Sequence, residues 1–447
     1  MSAPREQFSS KTGFVMAAAG SAIGLGNIWG FPTQTASNGG AAFVVIYFIL
    51  AFVLAYPALM AELIIGRHAR ANVVTSLRHI SNGKKSYALA SGVGFYGVIT
   101  ASLILSFYAI VAGWMLAYLF ESITQMLGWT QASEWLTGFG LQRNLIFMGL
   151  FMAMTMAIIS SGIKGGIEKW STRLMPMLLF IMIALTVYVM TQDGAMEGLR
   201  VYLLPDFSQI NPGLILDAMG QAFFSLSLGV GTMLVYGSYL SKQDSLPKLG
   251  AAVTLVDSSI AFLAGLLIIP AIFVAQKNGV TVFTESGDMI AGPDLIFQVL
   301  PSLFDSMGDM GLIVAFAFFS LMSIAAVTSS ISMLEVPVSY MTEETPASRH
   351  QSTLIVGLII AAISAIILFN FNDLFGLVID LTTVYSQPIL GVLMCVFVGW
   401  IWHRNNLLEE LKAGHDNIES TLFWKIWPNY VRFVCPALIL ATFIRAL

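Results

Sequence analysis

Apolar runs close to the roughly 20 residues that a bilayer core demands alternate along this chain with short polar stretches rich in Lys and Arg. They predict eleven transmembrane helices, near 13–36, 40–66, 88–121, 144–161, 170–190, 213–240, 249–276, 308–341, 351–370, 374–402 and 423–447. Two of these spans carry residues that suit a helix badly. The first holds Gly20, Gly24, Gly26, Asn27, Gly30 and Pro32; the sixth, beginning near Pro212, holds Gly220, Gln221, Ser225, Ser227, Gly229 and Gly231. Glycine costs about 1 kcal/mol relative to alanine inside a helix. Backbone released from helical pairing is tolerated in hydrocarbon only where it lines a protein-enclosed cavity. Close packing through small residues is the competing reading of the glycines, but Asn27 and Pro32 in the same span favour an unwound site.

The two interrupted spans stand five apart. That arrangement points to an inverted-repeat transporter of the all-α polytopic class, with broken helices 1 and 6 and its site at the repeat interface. The expected transport core is 1–402, with helices 1–5 over about 13–190 and helices 6–10 over about 213–402. A loop and the eleventh helix, 403–447, lie outside it. The halves share no residue-level similarity, so the repeat rests on topology and the two breaks.

Composition narrows the class further. With 57% apolar and 10% charged residues and a mean hydropathy of +0.80, the chain is excluded as an ordinary soluble globule. If Met1 is cytoplasmic, all Lys and Arg but Arg143, Arg200, Lys277 and Arg445 fall in inside loops. This bias orients the protein in a cell membrane with the N-terminus inside and the C-terminus outside. The outer stretches 191–212 and 277–307 are expected to be structured lids. Cys395 and Cys435 lie in apolar runs and are read as core thiols, with no disulfide framework. No cleavable leader is visible at the N-terminus, and no Asn-X-Ser/Thr sequon occurs. The five histidines have no metal-ligand spacing and nothing resembles a P-loop, so an enzyme is not expected.

Gly24-Leu-Gly26-Asn27-Ile-Trp29 followed by Phe31-Pro32, then Asn38-Gly39-Gly40, the Gln221 to Gly229 stretch and Thr328-Ser329-Ser330 resemble the neurotransmitter:sodium symporters, in particular the bacterial amino-acid transporters such as the leucine transporter. The resemblance runs from Arg5 to about Trp402. It implies sodium-coupled import of a neutral, hydrophobic amino acid by alternating access, with the ion gradient as the driving force. The first sodium site would use the carbonyls of Ala22 and Ser225 and the side chains of Asn27, Ser225 and Asp257. A second would use the carbonyls of Gly20, Ile23 and Ala325 with the hydroxyls of Thr328 and Ser329. A Thr-Ser-Ser run in a helix otherwise tends to bond back to its own backbone. The substrate site would be lined by Ala22, Leu25, Gly26, Ile104, Tyr108, Phe224, Ser225, Ser227, Val230, Ser329 and Met333. Tyr108 would bond the substrate carboxylate; its other reading is an aromatic packing residue. Glycine at position 24, where amine-carrying relatives place an aspartate, favours a substrate with its own carboxylate. Leu25, Ile104, Val230 and Met333 suggest an apolar side chain, although Met333 is adaptable.

The chain departs from the family pattern in three places. Gly30 replaces the outer-gate arginine, so its acid partner, matched to Asp380 or alternatively Asp373, cannot form the usual pair. Phe224 should still act as the aromatic lid. Asp257 replaces an asparagine and Ala261 a serine of chloride-dependent relatives, so a fixed carboxylate could stand in for chloride. This predicts no chloride requirement, although Tyr47 and Gln221 still match chloride-site positions and a protonated Asp257, or proton antiport, is the competing reading. Glu343 replaces the inner-gate aspartate opposite Arg5, with Phe8 as a plug beside them; a solvated surface pair is the bland alternative. The intramembrane acids Glu62 and Glu335 are read as polar links between helices, with a proton shuttle as the alternative.

No protein partner and no nucleic acid are implied; the partners are a small solute and the bilayer. A membrane amino-acid sensor or regulatory subunit that keeps the site without cycling is the rival function. A symporter for another small carboxylate-bearing or amine solute is the rival substrate class.

Overall fold

A computed structural model describes residues 5–282, 290 and 292–446. The remainder of the expected outer lid, 283–289 and 291, and the last residue of the eleventh span lie outside the described residues. Among the described residues, nine helices are long and apolar enough to cross a membrane: Ala41–Ala69, Lys84–Met126, Leu141–Ser160, Ile163–Met190, Leu246–Lys277, Asp309–Glu344, Arg349–Phe369, Phe371–Ile401 and Leu422–Ala446. Lys11–Ala22 and Gly26–Ser37 together make a tenth, bent by 61°. Pro212–Ser225 and Thr232–Gly237, each too short to cross alone, fall where the sixth span is expected.

Proline shapes many of these helices in one way. Wide π turns at Gly26–Gly30, Ala51–Ala55, Leu295–Val299, Asp380–Ser386 and Tyr430–Val434 end two residues before Pro32, Pro57, Pro301, Pro388 and Pro436 respectively. A proline ring collides with the carbonyl one turn back and offers no N–H. Widening the preceding turn relieves both problems. Helix starts use side-chain caps: Ser10 accepts from the Gly13 N–H at 2.9 Å, and Asn211 from the Leu214 N–H at 3.0 Å.

The long helices Lys84–Met126 and Asp309–Glu344 pack against each other, and Lys11–Ala22 sits against Asp309–Glu344, Leu246–Lys277 and Lys169–Met190. Thr232–Gly237 packs on Tyr56–Ala69. Small residues permit that last approach. A Cβ on Gly237 would lie 2.7 Å from the Leu63 carbonyl oxygen, and one on Gly66 would collide with the carbonyl of Leu234. The outer stretches are largely helical where described, with Ala195–Leu203 packed on Leu246–Lys277 and Leu300–Ser306 on Asp309–Glu344. Cys395 and Cys435 are free and buried.

Two basic residues, which the sequence alone places among the loop charges, are buried. Arg67 is fully buried and pairs with Glu410 at 2.7 Å, tying the helix Arg404–Lys412 to the end of the second span. Arg143 is also buried, donating to the Leu136 carbonyl at 2.7 Å and to Asn144 Oδ1 at 2.7 Å.

Candidate functional site

Both breaks lie at the centre of one cavity. The first helix ends at Ala22, Ile23 turns out of helical geometry at φ −77° and ψ 94°, and helical geometry resumes at Leu25. The unwound stretch is therefore shorter than the sequence suggests. Gly20 is still helical, and Asn27 and Pro32 belong to the resumed helix. In the sixth span Ser227, Gly229 and Gly231 have φ of 52°, 79° and 82°. Glycine enters this left-handed region without a Cβ penalty. Ser227 is the exception, and its hydroxyl donates to the Ser21 carbonyl at 3.1 Å. The freed Gly229 N–H donates to Glu62 Oε1 at 2.7 Å. Glu62 thus links the second and sixth spans, as expected of an intramembrane acid.

The residues expected for the first cation site come together as one buried cluster. Asn27 Nδ2 donates to Ser225 Oγ at 2.9 Å and to Asp257 Oδ1 at 2.7 Å. The Ser225 hydroxyl donates to Asp257 Oδ2 at 2.7 Å, and Tyr47 donates to Ser225 Oγ at 3.2 Å. Gln221 Nε2 reaches the Gly26 carbonyl at 3.0 Å. The side chains are oxygen-rich and carry one carboxylate, a donor set that suits a hard cation.

The second set also meets. Ser329 Oγ lies 3.3 Å from the Gly20 carbonyl and 3.1 Å from that of Ile23. Thr328 Oγ1 donates to the Ala325 carbonyl at 3.0 Å. A Cβ on Gly20 would stand 3.1 Å from the Cβ of Thr328, so the first and eighth spans touch here.

Between the clusters lies a cavity lined by all eleven residues expected for the substrate: Ala22, Leu25, Gly26, Ile104, Tyr108, Phe224, Ser225, Ser227, Val230, Ser329 and Met333. Its wall also includes Trp29, Phe107, Thr232 and Gln387, which the sequence reading missed. Phe107 shares the face of Ile104 at helical spacing, and Thr232 follows the last glycine of the sixth-span break. Gln387 is a polar residue before a proline in an apolar run. The Tyr108 hydroxyl is buried and has no hydrogen-bond partner among the described residues. A Cβ on Gly24 would lie 2.8 Å from Ser329 Oγ and 3.2 Å from the Tyr108 oxygen.

At the end assigned to the cytoplasm by the charge bias, Arg5 pairs with Glu343. Arg5 also donates to Ser238 Oγ at 3.1 and 2.8 Å and lies 4.6 Å over the Tyr239 ring. Glu343 accepts from the Asn72 N–H at 2.8 Å and its amide at 3.0 Å, so this is more than a loose surface pair. Phe8 stacks edge-on against Phe14, Tyr236 and Tyr239. Glu335 accepts from Arg349 at 3.0 and 2.6 Å and from Tyr239 at 2.5 Å, a second polar link between helices.

The opposite end is looser. Phe224 is 42% exposed. It borders both the central cavity and an outer one lined by Gln34, Asp217, Gln221 and Arg445. Asp380 is exposed and forms no ion pair among the described residues. A Cβ on Gly30 would stand 3.6 Å from Gln221 Oε1, an ordinary contact. The ion pair found at this mouth, Asp217 with Arg445 at 3.7 Å, was not foreseen.

The whole chain has recognisable relatives. It is 34% identical to the sodium-dependent transporter YhdH of Bacillus subtilis (strain 168), over 98% of this chain and 97% of that one. It is 26% identical to the sodium- and chloride-dependent GABA transporter 2 of Rattus norvegicus, over 99% of this chain and 80% of the other. The crystal structure of MhsT in complex with L-phenylalanine matches with a TM-score of 0.84 at 37% identity, covering 99% of this chain and all of that one. The profile of the Sodium:neurotransmitter symporter family matches residues 5–144 and 136–447. With two interrupted spans around a common cavity and matches of this extent, the chain is a multi-pass membrane transporter and belongs to the Sodium:neurotransmitter symporter family.

Proposed function

We propose that this transporter carries a neutral, hydrophobic amino acid inward, coupled to sodium, through a core spanning 1–402 with its N-terminus in the cytoplasm and its C-terminus outside. The observation that carries the reading is the cavity itself, walled by the two breaks and holding the unpartnered Tyr108 hydroxyl beside Gly24. A carboxylate there would take the tyrosine hydroxyl and the freed amides of the first break. Apolar walls at Leu25, Ile104, Val230 and Met333 would take the side chain.

Sodium would be held at two places, by Ala22, Asn27, Ser225 and Asp257, and by Gly20, Ile23, Ala325, Thr328 and Ser329. Where substrate carboxylate and sodium share a coordination shell, each raises the affinity for the other by the same factor. Asp257 would supply the negative charge fixed beside the first ion, removing the need for chloride that the rat relative's name records. Arg5 and Glu343, with Phe8 packed beside them, would close the inner path. Phe224 would close the outer one. Rocking or hinging of the first and sixth spans would then exchange the two.

Uptake into vesicles tests this reading. Concentrative entry of a neutral amino acid driven by a sodium gradient supports it. Binding without entry favours a sensor, and entry of an amine or another carboxylate in place of an amino acid changes the substrate class.

A further inference from the structure

We propose that Gln387 selects the substrate side chain, favouring a large neutral amino acid with a hydrogen-bond donor on that side chain, of the phenol or indole kind. The proposal rests on the cavity being the substrate site.

Gln387 lines the cavity and is 2% exposed, and its Oε1 is enclosed without a partner. Its amide makes no hydrogen bond to the described residues. Buried amide oxygens are rarely left so, because desolvating one without compensation is costly. Among the described residues, two enclosed polar atoms of the cavity wall lack partners, Tyr108 Oη and Gln387 Oε1. The tyrosine serves the carboxylate in the reading above. The glutamine oxygen is left for something else, and an amide oxygen accepts.

The backbone that carries the amide is held in place. Gln387 opens the helix Gln387–Val396 directly after the wide turn Asp380–Ser386, and Pro388 follows it. Tyr96 of the third span donates to Ser386 Oγ at 2.7 Å. The Gln387 backbone carbonyl sits against Gly229 so closely that a Cβ on that glycine would collide with it. Third, sixth and tenth spans thus fix the backbone from which the amide projects, which limits where its oxygen can stand, and a confined acceptor discriminates better than a mobile one. Trp29, Phe107 and Phe224 give the same cavity aromatic walls suited to a ring. Phenylalanine or leucine would leave the oxygen unpaired.

The test is equilibrium binding of L-tyrosine and L-phenylalanine, which differ by one hydroxyl, to the purified full chain in sodium buffer. The unsubstituted protein should prefer tyrosine by at least about fivefold, the ratio that one net neutral hydrogen bond yields. Gln387→Leu should bring the ratio near one. Gln387→Glu, which keeps an acceptor, should retain the preference. A ratio near one in the unsubstituted protein, or one unchanged in Gln387→Leu, overturns the proposal while leaving the substrate site intact. If no amino acid binds in a sodium-dependent way, the substrate-site reading falls and the inference falls with it. Gln387→Met provides the same comparison should the leucine variant not fold.

Discussion

Asn27 and Asp257 are joined across the membrane interior by a hydrogen bond of 2.7 Å, from the side-chain amide just past the first break to a carboxylate on the seventh span. Both are 1% exposed. An uncompensated carboxylate in that position would be expensive, and the amide alone does not neutralise it. A cation among Asn27, Ser225 and Asp257 would.

Replacing that carboxylate should change the anion requirement. In the unsubstituted protein, uptake in gluconate should equal uptake in chloride. Asp257→Asn should reduce uptake in gluconate at least about tenfold, the effect of about 1.4 kcal/mol, and chloride should restore part of it. Equal loss in both buffers would count against the carboxylate acting as the fixed counter-charge.

The sodium clusters make a separate prediction. Asn27→Ala removes a side-chain oxygen from the first and Thr328→Ala from the second. Each should shift the sodium concentration for half-maximal binding upward by about tenfold, again near 1.4 kcal/mol. Sodium titrations that stay unchanged in both variants would sink both assignments.

Tyr108 and Gly24 are predicted to act on the substrate and to leave the sodium requirement in place. Tyr108→Phe deletes a hydrogen bond to a carboxylate, worth about 1.5–3 kcal/mol. Affinity should fall by about 10- to 150-fold. Gly24→Ala would push against Ser329 and the Tyr108 hydroxyl and should also weaken binding. Isothermal titration on both variants checks this, and full affinity in Tyr108→Phe would return that residue to a packing role.

A fourth prediction concerns the Arg67–Glu410 pair at the inner end. Burial alone would raise the Glu410 carboxyl, but His68 and Arg67 outweigh it and hold Glu410 below the usual carboxylate range. A carboxyl depressed in this way stabilises the fold fully above its unfolded pKa, about 4.3, and the contribution disappears as pH falls through the folded value. Thermal stability should therefore drop on acidification below that range. Glu410→Gln should be less stable at neutral pH by about 3–5 kcal/mol, since it strands the buried Arg67, and should lose this part of the acid response. An acid response of the same size in the variant would locate the effect elsewhere.

The two breaks could be read from residues alone because their chemistry conflicts with their surroundings. Glycines with Asn27 and Pro32 in an apolar run are poor helix, and the structure does break there, although only Ile23 and Gly24 leave helical geometry. The lining from Ile104 to Met333 comes from the family resemblance that the motifs carry; spacing alone does not single those residues out. What escaped depends on contacts distant in sequence. Arg67 and Arg143 look like loop charges until their partners are seen. Asp217 meets Arg445 only because the eleventh span packs beside the sixth. Gln387 carries no periodic signal, and its place in the wall is set by the turn that Pro388 forces.

The most direct test of the account is uptake of labelled neutral amino acids into proteoliposomes with an inward sodium gradient, and after that gradient has been collapsed. The account predicts accumulation above the external concentration that requires the gradient and is lost when choline replaces sodium. Uptake that never exceeds equilibration, or that persists at the same level in choline, would contradict it.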